Sequence, residues 1–153
     1  MTRAALVSTL NRIFCGAVFL IHGTPKIFNL QETSSGFVAM GFPGWLAVPV
    51  AVLEFFGGIL LMAGLLTRIM TGLFMIEMVV AGLKVHFPVG WDVFQFGDPM
   101  ARGYEYNLAL ILLLLGVLLI GPGPFSVDRL IGWRRGREEP PVESFEPRPD
   151  VAP

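Results

Sequence analysis

Four apolar runs divide the chain, each closed by glycine, proline or charge. They extend over about Val7 to Phe28, Trp45 to Leu66, Ile69 to Phe87 and Tyr104 to Ile120. A helix rises about 1.5 Å per residue, so roughly 17–25 apolar residues cross the hydrocarbon core of a bilayer. All four runs fall within that range and predict membrane-spanning helices. Pro25 is expected to kink or end the last turn of the first span, and Pro88 stops the third. Residues 29–44 are polar and glycine-containing and read as a loop, with a short interfacial turn around Phe37–Met40. Leu66-Thr67-Arg68 is a tight connection. Residues 88–103 form a second long loop, whose Trp91, Phe94 and Phe96 suit a membrane interface. After Gly121-Pro122-Gly123-Pro124, Ser126 is placed to cap a short helix with Asp128 in its first turn. Leu130, Ile131 and Trp133 among arginines make that helix interfacial. Residues 138–153 are Pro- and Glu-rich with little to bury, and are expected to be disordered.

Composition supports the membrane reading. The chain is 54% hydrophobic and 15% charged, where a soluble domain carries about a quarter charged residues. No basic patch interleaved with aromatics is present, so nucleic acid is not an expected partner. Cys15, the one cysteine, has no internal disulfide partner and no CxxC redox pair. Basic residues set the orientation. Arg3, Arg12, Arg68, Arg129, Arg134, Arg135, Arg137 and Arg148 fall on the N-terminal arm, the 2–3 turn and the tail, whereas the 3–4 loop carries Arg102 and the 1–2 loop none. Cytoplasmic segments hold the excess of Lys and Arg. The expected fold is therefore an all-α integral membrane four-helix bundle with both termini cytoplasmic.

On that topology the ionisable residues inside the membrane lie at its middle or in its outer half. Glu54 and Glu77 are near the centres of spans two and three; His22, Lys26, Lys84, His86 and Glu105 lie further out. Charge in hydrocarbon costs about 2.5–3.5 kcal/mol at a helix centre on insertion scales, so such groups face the bundle interior and one another. His22 and Lys26 share a helix face, as do Glu77, Ala81 and Lys84, and Glu54 sits over Gly57 and Gly58, which permit close helix approach. The candidate ligand site is an outward-facing polar cavity lined by His22, Lys26, Glu54, Glu77, Lys84, His86 and Glu105. The competing reading is a set of buried ion pairs that fix helix register. No HxxxH or ExxH spacing is present, so no metal site is assigned.

The motifs Phe19-Leu20-Ile21-His22-Gly23 with Lys26, Glu54-Phe55-Phe56-Gly57-Gly58 through Gly64-Leu65-Leu66-Thr67-Arg68, Lys84-Val85-His86, Gly103-Tyr104-Glu105-Tyr106 and Gly121-Pro122-Gly123-Pro124-Phe125-Ser126-Val127-Asp128 occur in series over about residues 8–130. Together they resemble the DoxX family. The resemblance implies a small bacterial four-helix protein of the inner membrane, related to a subunit of a thiosulfate:quinone oxidoreductase. It carries His22, Lys26, Glu54, Arg68, Lys84, His86, Glu105, Ser126 and Asp128 as motif residues; Glu77 is less clearly one of them. With no intrinsic redox cofactor motif, redox work would need a bound quinone or a partner redox protein. Two further readings stay open: a small-molecule or ion transporter, and a non-catalytic membrane anchor for a partner enzyme. A homo-oligomer is compatible with all three.

Overall fold

The computed structural model describes residues 2–88, 90 and 103–135. The expected interfacial aromatics of the second long loop and the Pro/Glu-rich tail lie outside the described residues. Helix α1 spans Arg3–Phe28, α2 Leu30–Ala39, α3 Gly44–Ala63, α4 Thr67–His86, α5 Glu105–Ile120 and α6 Val127–Arg135. There are no strands among the described residues. The helices α1, α3 and α4 are each long and apolar enough to cross a membrane, and α5 is a shorter apolar helix.

The four long helices share one core. Cys15 and Phe19 of α1, Leu61 of α3, Met70, Phe74 and Met78 of α4, and Leu110 and Leu114 of α5 pack together. The Phe19 and Phe74 rings stack with centroids 3.7 Å apart. Outside this core the surface is as apolar as the interior: Ile21 is 69% exposed and Leu119 74%. A water-soluble bundle would put polar residues at such positions; here the solvent is lipid. Because lipid and core are equally apolar, helices are drawn together by close packing of small residues. Gly16 and Gly58 supply the contact between α1 and α3. A Cβ on Gly58 would lie 2.8 Å from the Gly16 carbonyl oxygen, a distance that real Cβ atoms do not tolerate.

One local departure from the sequence reading has a physical cause. Residues 30–39, expected as a loop, form helix α2. Its hydroxyl residues satisfy carbonyls one turn back (Thr33 to Asn29, Ser35 to Gln31), and Ser34 donates to the Gly44 carbonyl, tying α2 to the start of α3. Helix α1 continues past Pro25 to Phe28, although proline removes the amide that would bond the Ile21 carbonyl. Both α3 and α4 also contain a wide π-type turn, Leu53–Gly57 and Gly82–His86. Such turns are rare and recur at functional sites.

At the end of the bundle that holds both the start of α1 and the start of α6, a buried arginine joins three segments. Arg12 is 1% exposed. Its Nε donates to the Pro122 carbonyl at 3.0 Å, Nη1 to those of Leu61 (2.6 Å) and Met62, and Nη2 to that of Phe125 (2.5 Å). The guanidinium thus caps the C-terminal carbonyls of α3, where a cation also favours the helix dipole. The α3–α4 turn is a Schellman motif, with Leu65 N–H on the Leu60 carbonyl and Gly64 in the left-handed region at φ 72°. Leu66 follows at φ 53°, a strained conformation for a leucine, and has no side chain able to cap α4. Asp128 does so from a distant segment: its carboxylate accepts from the Leu66 and Thr67 amides, both at 2.8 Å. Ser126 in turn caps α6, accepting from the Arg129 amide at 3.3 Å.

Candidate functional site

The other half of the bundle contains the carboxyls of Glu54 and Glu77. Glu54 and Glu77 each sit at the eleventh position of a twenty-residue helix, α3 and α4, so both carboxyls are at mid-span. Lys26 reaches Glu54 from the last turn of α1. Its Nζ lies 2.5 Å from Glu54 Oε1, and the two side chains are 30% and 4% exposed respectively. The pair is therefore reached from the lysine side. Gly23, one turn before Lys26, makes this possible. A Cβ there would lie 2.5 Å from the Phe55 amide nitrogen and 2.7 Å from the Glu54 carbonyl carbon. Any larger residue would push α1 off the π-type turn that carries Glu54.

Glu77 comes in from α4, with its carboxyl within hydrogen-bonding reach of Glu54 and close enough to Lys26 to feel its charge. Glu54 Oε2 and Glu77 Oε2 are both buried with no hydrogen-bond donor on them. The group thus has one cation, two carboxyls, and two acceptor atoms left without a donor. Tyr106 of α5, absent from the sequence-derived set, lies close enough to couple electrostatically to Glu54, and its ring is 6.2 Å from that of His22. Its position one residue after Glu105, within the aromatic Gly103–Tyr106 motif, was the available signal. Phe28 of α1 and Phe55 of α3 meet edge to face at 6.1 Å.

The other residues expected in the site are placed differently. Lys84 is exposed and His22 is exposed; His86 is half-buried, with Nδ1 3.1 Å from the Ala81 carbonyl oxygen. For Lys84 the reason is geometric. The 3.6-residue period that aligns it with Glu77 fails once the helix widens over Gly82–His86, since each residue then turns through a smaller angle. Glu105 is half-buried at the start of α5. Of the seven, Lys26, Glu54 and Glu77 come together. Two surface depressions, of about 530 Å³ at the α1–α2 junction around Phe28, Gln31 and Ser35, and about 170 Å³ between α4 and α5 around Met78, Leu83 and Tyr104, contain none of them. Among the described residues no three His, Cys, Asp or Glu side chains converge as metal ligands would.

Comparison with known proteins accounts for this arrangement of motifs. The DoxX family profile matches residues 7–87, which span α1, α3 and α4. The chain belongs to the DoxX family. Similar proteins include the "Putative oxidoreductase CatD" of Bacillus subtilis, 27% identical over 78% of this chain and 83% of that one. The inner membrane protein YqjF of Escherichia coli is 33% identical over 78% of this chain and 88% of its own length. The uncharacterized membrane protein Rv3486 of Mycobacterium tuberculosis is 32% identical over 80% of each chain. No solved structure matches. This DoxX protein is thus a multi-pass membrane protein, and Lys26, Glu54 and Glu77, which its structure brings together, all fall inside the segment that the family profile matches.

Proposed function

We propose that this DoxX protein is an inner-membrane subunit of a redox complex, with both termini cytoplasmic, and that the Lys26–Glu54–Glu77 group binds a quinone or similar small ligand. One observation carries the reading: two mid-membrane carboxyls meet, one is paired with a lysine that is partly exposed, and each retains a buried oxygen without a donor. A purely structural ion pair needs one carboxyl, and a second at the same place adds desolvation cost without a cation to offset it. The residues fit a quinone head group. Lys26 can donate to a carbonyl oxygen, a protonated carboxyl can donate to the other, and Phe28 and Phe55 offer aromatic walls. A bound quinone would supply the electron-accepting chemistry; the chain's own groups orient it and hold protons. Electrons would come through a partner protein. The name of the Bacillus subtilis relative agrees with a redox role, and that of the Escherichia coli relative with the inner membrane. A transporter needs a second path from the cytoplasmic end, where Arg12 closes the bundle on four carbonyls.

The test is quinone binding by the purified protein in lipid nanodiscs. Lys26→Met and Glu54→Gln are each expected to weaken affinity by about tenfold or more, the equivalent of one hydrogen bond to a charged group at roughly 1.5–3 kcal/mol. Unchanged affinity in both variants would refute the assignment.

A further inference from the structure

We propose that Glu54 and Glu77 hold one proton between them, balanced by Lys26, and that Glu77 is the group through which the site gives or takes that proton. The assignment of the exchange to a bound ligand rests on the function proposed above; the shared proton does not. Three charged groups meet at mid-membrane, and with both carboxyls ionised the group would carry a net negative charge in a medium that cannot solvate it. Two carboxylates in contact cannot both ionise there at modest cost. The orphaned oxygens point the same way. Glu54 Oε2 and Glu77 Oε2 are buried and each lacks a donor, yet the carboxyls reach each other. A proton between them provides a donor that no side chain supplies. Glu54 has Lys26 at 2.5 Å, so the proton belongs chiefly to Glu77.

Among the described residues, the neighbouring groups are placed as follows. From α1, Lys26 faces the pair, while His22 is exposed; from α4, Lys84 is turned outward. From α5, the Tyr106 hydroxyl lies near enough to couple to Glu54, and buried Cys15 of α1 couples to Tyr106. None of these brings a second cation. The exchange is a simple transfer: the O–H bond on Glu77 breaks, one forms on an anionic oxygen of the ligand, and the carboxylate left behind lies within the field of Lys26. The ligand class this favours carries an oxygen that alternates between hydrogen-bond acceptor and donor.

Infrared spectroscopy of the intact protein in nanodiscs at neutral pH tests the shared proton directly. The wild type should show the carbonyl stretch of a buried protonated carboxyl. Glu77→Gln and Glu54→Gln should each remove it, because the remaining carboxyl then pairs with Lys26. Glu77→Asp should restore it, and Lys26→Met should roughly double it by removing the cation that keeps one carboxyl ionised. A wild-type spectrum unaltered by both glutamine variants overturns the proposal, as does an unchanged band in Lys26→Met. If the band behaves as expected but quinone affinity is the same in Glu77→Gln as in the wild type, the shared proton stands and its exchange with a ligand is refuted.

Discussion

Replacing Arg12 by methionine is expected to be the most damaging single change at the end of the bundle where α6 begins. Methionine keeps the length and the apolar packing and removes the donors. Four carbonyls lose a partner: those of Leu61, Met62, Pro122 and Phe125. The Leu61 carbonyl keeps the Gly64 amide at 3.0 Å, which leaves three dependent on the guanidinium. At about 1 kcal/mol net for each of these three part-buried hydrogen bonds, the loss is about 3 kcal/mol. Removal of one member of a buried charged network costs about 3–5 kcal/mol. The two figures agree. Arg12→Lys should recover less than half of this, because an ammonium cannot span carbonyls that a planar fork reaches from three nitrogens. Arg68 is the internal control. It lies near the same end of the bundle but is exposed, so Arg68→Met should change stability by no more than about 0.5 kcal/mol. The measurement is reversible unfolding in mixed micelles, followed by tryptophan fluorescence and circular dichroism. Equal stabilities for Arg12→Met and Arg68→Met would show that the arginine latch is dispensable.

Gly23→Ala should destabilise the bundle by about 2 kcal/mol or more and weaken ligand binding with it, since the new Cβ would meet the backbone of Glu54 and Phe55. The same change at Gly72, which faces open space, should be neutral or stabilising by about 0.5–1 kcal/mol. Asp128 predicts the acid limit of stability. Burial works against its charged form, but the Thr67 and Leu66 amides and the nearby Arg12 charge outweigh burial and hold its carboxyl below the usual range. A depressed folded-state value means that its contribution is complete above the unfolded value of about 3.9 and is lost as pH falls through the lower folded one. Stability against pH in Asp128→Asn should therefore be flatter in that acid window, and lower at neutral pH by about 1 kcal/mol for a weakened cap. A variant curve parallel to the wild type would refute this role.

The apolar helices, the turn at Gly121–Pro124, the Ser126 cap and the mid-helix position of Glu54 and Glu77 were legible in the sequence. Each is a local property: a run length, a turn residue, a residue count at about 1.5 Å per step. The facing of side chains was less so. In a soluble bundle, polarity marks the outside of a helix; here α5 is apolar on every side after Asn107, and lipid accepts what the core accepts. Periodicity then depends on an unbroken 3.6-residue turn, and the π-type segment Gly82–His86 broke it for Lys84. Arg12 was read as a topology signal because its role requires carbonyls from residues 61, 62, 122 and 125, which the sequence separates and the fold collects. From the amino-acid sequence follow the apolar helices and the expectation that Lys26, Glu54 and Glu77, placed along them, face the bundle interior. That Lys26 pairs with Glu54, that Glu77 joins them and that His22 and Lys84 stay outside were decided by the tertiary structure. Gly23 lets α1 approach α3 closely enough for one lysine to reach one carboxylate.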